Sequence, residues 1–195
     1  MNTIADRYRR RADAFASTVS GVAADRWGDP SPCEGWTARD VVRHVIDMHA
    51  AMLRPLDRVL SPAPPLREDP LGAFLAARTD IEAVLADPGQ ALRSCPTPLG
   101  PTTVERHIDE VVSDDMALHR WDLARATGQD GSMDPVDVER LWAVLSAVPR
   151  DVMDRMRTPD AFGPGVRVYG PEVAVPEGAS LQDRLLAATG RDPRR

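Results

Sequence analysis

Apolar side chains recur at steps of three and four through Ile4, Tyr8, Ala12, Phe15 and Val19, which predicts an amphipathic helix over 4–19. A turn-rich stretch follows from Trp27 to Trp36, with Gly28, Pro30, Pro32 and Gly35 as its breakers. Thr37, with Asp40 three residues on, has the spacing of a capping box and opens a second helix. That helix extends to about residue 60, with Pro55 as a kink or early stop. The stretch 61–65 is a stiff proline-rich connector. A third helix spans 70–86 through Leu71, Phe74, Leu75, Ile81 and Leu85, with Pro70 in its first turn. After a loop over 94–101, Thr102 or Thr103 caps a long fourth helix that reaches Thr127 and closes at Gly128. A fifth helix opens at Asp134-Pro135 and is interrupted by Pro149, and its apolar face resumes at Val152, Met153 and Met156. The Gly- and Pro-rich tail offers a short hairpin between 166–168 and 173–175, then a final helix over 180–189. The fold class is therefore all-α, a helix bundle over 1–160 with a C-terminal extension over 161–195 that packs on it.

Composition changes little in that picture and excludes several functions. The 195 residues give one domain as the default. With 43% hydrophobic and 28% charged residues, the chain is neither a disordered tail nor a fibrous repeat. All 24 basic side chains are arginine, a bias typical of GC-rich genomes, and the net charge of -6 disfavours nucleic-acid binding. The one basic cluster, Arg9 to Arg11, is flanked by Asp6 and Asp13 and reads as a solvated helix face. Cys33 and Cys95 are too few for a secreted disulfide framework. No run approaches the roughly eighteen apolar residues of a membrane span, and the N-terminal stretch lacks a signal-peptide core. The expected compartment is the cytoplasm, without a membrane partner.

The fourth helix carries the candidate chemistry. Its apolar positions are Val104, Ile108, Val111, Met116, Leu118 and Leu123. Asp115 falls four residues after Val111, and His119 four after Asp115, so carboxylate and imidazole stack one turn apart on the core-facing side. A buried carboxylate costs several kcal/mol without a partner. Two partners are open: one of the many arginines, or a metal ion. His44 lies at the edge of the second helix's apolar stripe, either as a packed histidine or as a third ligand. His49 is about 140° from His44 around the helix, and it and His107 read as packing or surface residues. Cys33 reads as a small packing residue that could also approach a metal. No Ser-His-Asp or Cys-His constellation is evident.

The stretch Pro32-Cys33-Glu34-Gly35-Trp36-Thr37, continued by Asp40 and His44, resembles the P-C-x-G-W-T-x-x-D-x-x-x-H signature of actinobacterial DinB-like metal-binding proteins. The stretch from Asp115 through His119-Arg120-Trp121-Asp122-Leu123-Ala124 to Thr127-Gly128 resembles their second signature. The tail, from Phe162-Gly163-Pro164 through Asp183-Arg184-Leu185-Leu186-Ala187 to Gly190-Arg191-Asp192-Pro193, is similar to theirs as well. The chain thus resembles the DinB/YfiT-like family, in the branch related to the metal-binding domain of mycothiol-dependent maleylpyruvate isomerase.

That resemblance implies a DinB-like four-helix bundle holding a divalent metal, zinc or nickel, on His44, Asp115 and His119. The isomerase-like branch has glutamate where Asp115 stands, so the shorter acid must reach further. Three protein ligands leave a position for water or substrate. A thiol there is favoured as its thiolate, the nucleophilic form. The implied activity is mycothiol-type S-transfer, or thiol-assisted isomerisation, on a small electrophile. A metal-dependent hydrolase and a non-catalytic metal- or ligand-binding protein are the alternatives, and a homodimer is left open. Trp36 and Trp121 either wall the pocket or fill the core. Asp122 either orients a ligand histidine or caps a loop. Arg125 either binds an acidic thiol or carboxylate substrate or pairs with Asp122.

Overall fold

A computed structural model describes residues 3–97, 100–163 and 166–194. The chain divides into two compact units, Met1–Gly131 and Ser132–Arg195. The first holds helices α1 (Ile4–Ser20), α2 (Ala38–Leu53), α3 (Pro70–Ala86) and the short α4 (Pro88–Ala91). Strands β1 (Ser94–Cys95) and β2 (Thr102–Thr103) then pair antiparallel. Next comes a continuous rod of α5 (Val104–His107), a π-helical segment Ile108–Ser113 and α6 (Asp114–Thr127). The second unit holds α7 (Pro135–Ser146), α8 (Arg150–Arg157) and α9 (Leu181–Ala188), with α7 packed on α9.

The four long elements of the first unit close a ring. α1 and α2 each pack on both α3 and α6, so the architecture is the expected all-α four-helix bundle. Its starts follow local chemistry. The Thr3 and Thr37 side chains accept from the backbone N–H of Asp6 and Asp40, whose carboxylates return the bond. Such caps contribute about 1 kcal/mol each. Pro70 occupies the first turn of α3 behind an Asp69 cap, and Gly128 ends α6 at φ 72°. The periodic apolar positions are buried as a single core of Tyr8, Phe15, Val41, Val45, Phe74, Ile81, Ile108, Met116 and Leu123, among others. Phe15 and Phe74 meet at a centroid distance of 4.8 Å. Each fully buried aromatic ring contributes roughly 2–3 kcal/mol.

Several expectations are corrected. α2 ends at Leu53 rather than near residue 60, because Pro55 breaks the ladder into a 3-10 turn (Arg54–Leu56) and Asp57 turns left-handed at φ 55°. Part of the expected 94–101 loop pairs as β1 with β2. The rod is not a uniform α-helix, since its π segment moves Val112 into the core while Val111 is only partly buried. The tail hairpin does not form among the described residues. The N–H groups of Tyr169, Gly170 and Val173 bond instead to the carbonyls of Met156, Thr189 and Ala187, on and beside α8 and α9. Pro164 of the tail motif lies outside the described residues. By compactness the chain divides at 131/132, with α7 and its partner α9 together in the second unit.

The basic cluster on α1 is also not a uniformly solvated face. Arg11 is buried and donates to Asp114, while Arg7 forms a two-pronged bond to Asp109 at 2.8 and 2.6 Å. Beside them, fully buried His49 has its Nδ1 2.7 Å from the Val45 carbonyl and its Nε2 2.8 Å from the Tyr8 hydroxyl. A carbonyl only accepts, so Nδ1 carries the proton and Nε2 accepts from Tyr8. These polar links tie α1 to α2 and to the rod, and they leave Asp115 to a different partner. No helix among the described residues is long and apolar enough to cross a membrane.

Candidate functional site

α2 and α6 lie side by side, and their facing turns bring His44, Asp115 and His119 together. His44 Nε2 is 3.1 Å from Asp115 Oδ2, and His119 Nε2 is 3.3 Å from Asp115 Oδ1. One donor atom from each residue lies within 4.8 Å of the other two. Among the described residues the ion pairs of Asp115 are to His44 and His119 and none is to an arginine. Arg11 is engaged by the neighbouring Asp114, which points into the bundle rather than to solvent. The side chains of His44 and Asp115 remain 29% and 30% exposed, against 6% for His119. The cluster therefore opens outward on the His44–Asp115 side and is anchored inward by His119.

The inner anchor is Asp122, fully buried, whose Oδ2 is 2.8 Å from His119 Nδ1. It accepts a hydrogen bond from Nδ1–H, while Nε2 lies toward Asp115. The charges reinforce this geometry. Burial alone would push the His119 pKa down, but the adjacent Asp115 charge and its hydrogen bonds to Asp115 and Asp122 and with Cys33 raise it well above the usual imidazole value. Desolvation would raise Asp115, yet the His119 charge and bonds to both imidazoles hold it well below the usual carboxylate range. In this state protons bridge the three groups. Two imidazole nitrogens and one carboxylate at this spacing also form a donor set suited to a divalent cation that replaces those protons.

The loop before α2 supplies the cover. Trp36 N–H bonds back to the Cys33 carbonyl across a tight turn whose third residue, Gly35, has φ 77°. Ser31 Oγ accepts from Cys33 N–H, and Ser31 N–H donates to the Trp36 carbonyl. The turn lays the Trp36 ring against His44 at 4.9 Å and stacks it on His119 at 5.7 Å and 22°. Trp36 thus lies beside both imidazoles while also packing against the bundle core. The same turn sets Cys33 Sγ 3.4 Å from Asp122 Oδ2, so Cys33 is not a simple packing residue. Sequence spacing gave no sign of that contact. Both cysteines are free thiols.

Trp121 and Arg125 lie elsewhere. Trp121 is two residues from His119, about 200° around the helix, and is buried. It packs so closely on Gly131 that a Cβ there would come within 3.0 Å of the indole. Arg125 sits over the Trp121 ring at 5.9 Å. The structure does not bring either to the His44–Asp115–His119 cluster.

The family model described as "Mycothiol maleylpyruvate isomerase N-terminal domain" matches residues 8–124. Two proteins of Mycobacterium tuberculosis, both described as uncharacterized, are 34% identical to the chain over 190 residues, covering 96% of it and 97% of each relative. A crystal structure of a mutant mycothiol-dependent maleylpyruvate isomerase aligns with a TM-score of 0.49 at 15% identity, covering 80% of this chain and 72% of that one.

Proposed function

Since the chain belongs to the mycothiol maleylpyruvate isomerase N-terminal domain family, we propose that His44, Asp115 and His119 hold one divalent metal ion, zinc or nickel, and that the protein joins a mycothiol-type thiol to a small electrophile. The observation that carries this reading is the convergence of two imidazole nitrogens and a carboxylate within 4.8 Å, with one side open to solvent. When bound, the metal supplies a cationic centre that lowers the pKa of a thiol and makes its nucleophilic thiolate available near neutral pH.

The chain's own residues do the rest. Asp115 is the one anionic group of the three, so the assembled site keeps a net positive charge that favours an anionic sulfur over a neutral ligand. Asp122 retains the Nδ1 proton of His119 and leaves Nε2 as the donor. Trp36 covers both rings on one side and limits water there. Thiol and electrophile meet on the open His44–Asp115 side. In a transfer, the sulfur–carbon bond forms as the leaving group departs with its electron pair. In an isomerisation, sulfur adds to one carbon of a double bond, the resulting single bond rotates, and the thiol is expelled again. Neither route needs a protein nucleophile. The compartment that fits is a reducing cytoplasm, where small thiols stay reduced.

The test is metal analysis of the purified protein, followed by thiol consumption with a panel of electrophiles such as chlorobimane. Stoichiometric divalent metal and turnover that needs both metal and thiol are expected. Thiol-independent hydrolysis, or no turnover by metal-loaded protein, refutes the transferase and isomerase reading. Stoichiometric metal retained in a His44→Ala protein that also carries Cys33→Ser refutes the ligand set.

A further inference from the structure

His119 presents a second donor face that the proposed function uses only for orientation. His119, Asp122 and Cys33 each offer a donor atom within 4.8 Å of the other two, and the nitrogen that faces Asp122 is Nδ1. Asp122 Oδ2 is the common point, 2.8 Å from Nδ1 and 3.4 Å from Sγ. An ionised carboxylate only accepts. The protons on His119 Nδ1 and Cys33 Sγ therefore converge on one fully buried oxygen. We propose that Cys33, Asp122 and the Nδ1 face of His119 form a second cation position, selective for thiophilic dications such as zinc or cadmium.

Three physical arguments support it. First, the exchange conserves charge: one dication enters and two protons leave, one from the thiol and one from the imidazole, so the buried cluster gains no net charge. Second, the spacing is close to what is needed. Ligand bonds of about 2.0–2.3 Å separate neighbouring donors by roughly 3.2–3.8 Å in a tetrahedral shell, and the pairs here stand at 2.8 and 3.4 Å, so expansion by under about 1 Å admits the ion. Third, the donor mixture of sulfur, nitrogen and oxygen selects a borderline or soft ion over magnesium or calcium, which prefer all-oxygen sites. Access is through half-buried Cys33 in its turn, since Asp122 and His119 are buried behind it. An ion here takes the oxygen and the nitrogen that otherwise hold His119 in place, so it competes with the orientation on which the outer cluster depends. The position itself does not require the outer cluster to bind metal.

The test is cadmium titration of chelator-treated protein, read by the ultraviolet charge-transfer band of a cadmium thiolate and by bound cadmium per chain. A saturable band is expected in the wild type, lost in Cys33→Ser and kept in Cys95→Ser, with circular dichroism checking each fold. His44→Ala and Asp115→Asn are expected to keep the band. The outer cluster is judged separately: a Cys33→Ser protein that binds no cadmium at all refutes the His44–Asp115–His119 assignment and leaves the second position standing. No band in the wild type, or a band retained in Cys33→Ser, overturns the proposal. As an independent reading, cadmium is expected to slow iodoacetamide labelling of Cys33 at least tenfold. An unchanged rate overturns the proposal too.

Discussion

Arg11 is the place to test whether Asp114 and Asp115 are divided between structure and chemistry. Its guanidinium side chain is 2% exposed and the Asp114 side chain 11%. The pair therefore follows the rule for buried charges rather than the rule for surface salt bridges, which contribute at most about 1 kcal/mol. Arg11→Met keeps most of the side chain's volume and removes the charge that Asp114 is paired with. Taking one partner from a buried pair costs about 3–5 kcal/mol. At 2–4 °C per kcal/mol for a chain of this size, the expected drop in Tm is about 6–20 °C. Replacing both partners by apolar residues is close to neutral, so Arg11→Met combined with Asp114→Leu is expected to recover most of the loss. Thermal and urea unfolding of chelator-treated protein measure both, free of any contribution from bound metal. A single variant within about 1 kcal/mol of the wild type, or a double variant no more stable than the single, refutes the claim that this arginine is committed to Asp114. The arginine reading of Asp115 would then be open again.

Asp122→Asn removes the charge behind His119 and lets an amide N–H turn toward Nδ1, which favours the tautomer with its proton on Nε2. Metal affinity is expected to fall 10- to 100-fold, the usual effect of losing such a partner; unchanged affinity in a competition titration would show that Asp122 does not orient the ring. Burial pushes the His49 pKa down from 6.5 to about 4 despite its bond to Val45. Between those values the unfolded chain binds a proton that the native chain excludes. Stability is thus intact above about pH 6.5, declines as pH falls, and has lost roughly 3 kcal/mol below about pH 4. His49→Gln is expected to flatten that part of the stability–pH curve, and an equal slope in both proteins would dismiss His49 as its source. Gly35→Ala meets no atom within 4 Å but must hold φ 77°, so it is expected to cost about 1–2 kcal/mol and to speed alkylation of Cys33; no change in either would mean the turn does not restrain the thiol.

Much of this was legible because it rests on local chemistry. The capping box at Thr37 and Asp40 fixed the start of α2 and hence the height of His44 on its helix. The four-residue step from Asp115 to His119 survived because it lies wholly within α6. What failed to show in the sequence depends on contacts between distant segments. Nothing near Asp114 says that Arg11, on another helix, neutralises it. Nothing near Cys33 says that Asp122 receives its thiol. The tail hairpin was a plausible pairing of two β-branched runs, but the helices beside it offered free carbonyls that competed successfully. Trp36 and Trp121 were indistinguishable as residue types, yet helical angle alone would have separated Trp121 from His119.

The π segment at Ile108–Ser113 gives the rod slack in length just before Asp114 and Asp115. A π turn closes on the fifth residue rather than the fourth, so it takes up one extra residue without turning the helix that follows. Removing one residue inside it restores the α pattern and leaves Asp114 on Arg11 and Asp115 and His119 facing His44. A residue lost from α6 between Asp115 and His119 meets no such slack and turns His119 by about 100° away from Asp115. One missing codon is thus absorbed in the one stretch and ruins the candidate site a few residues later, with every functional side chain still present.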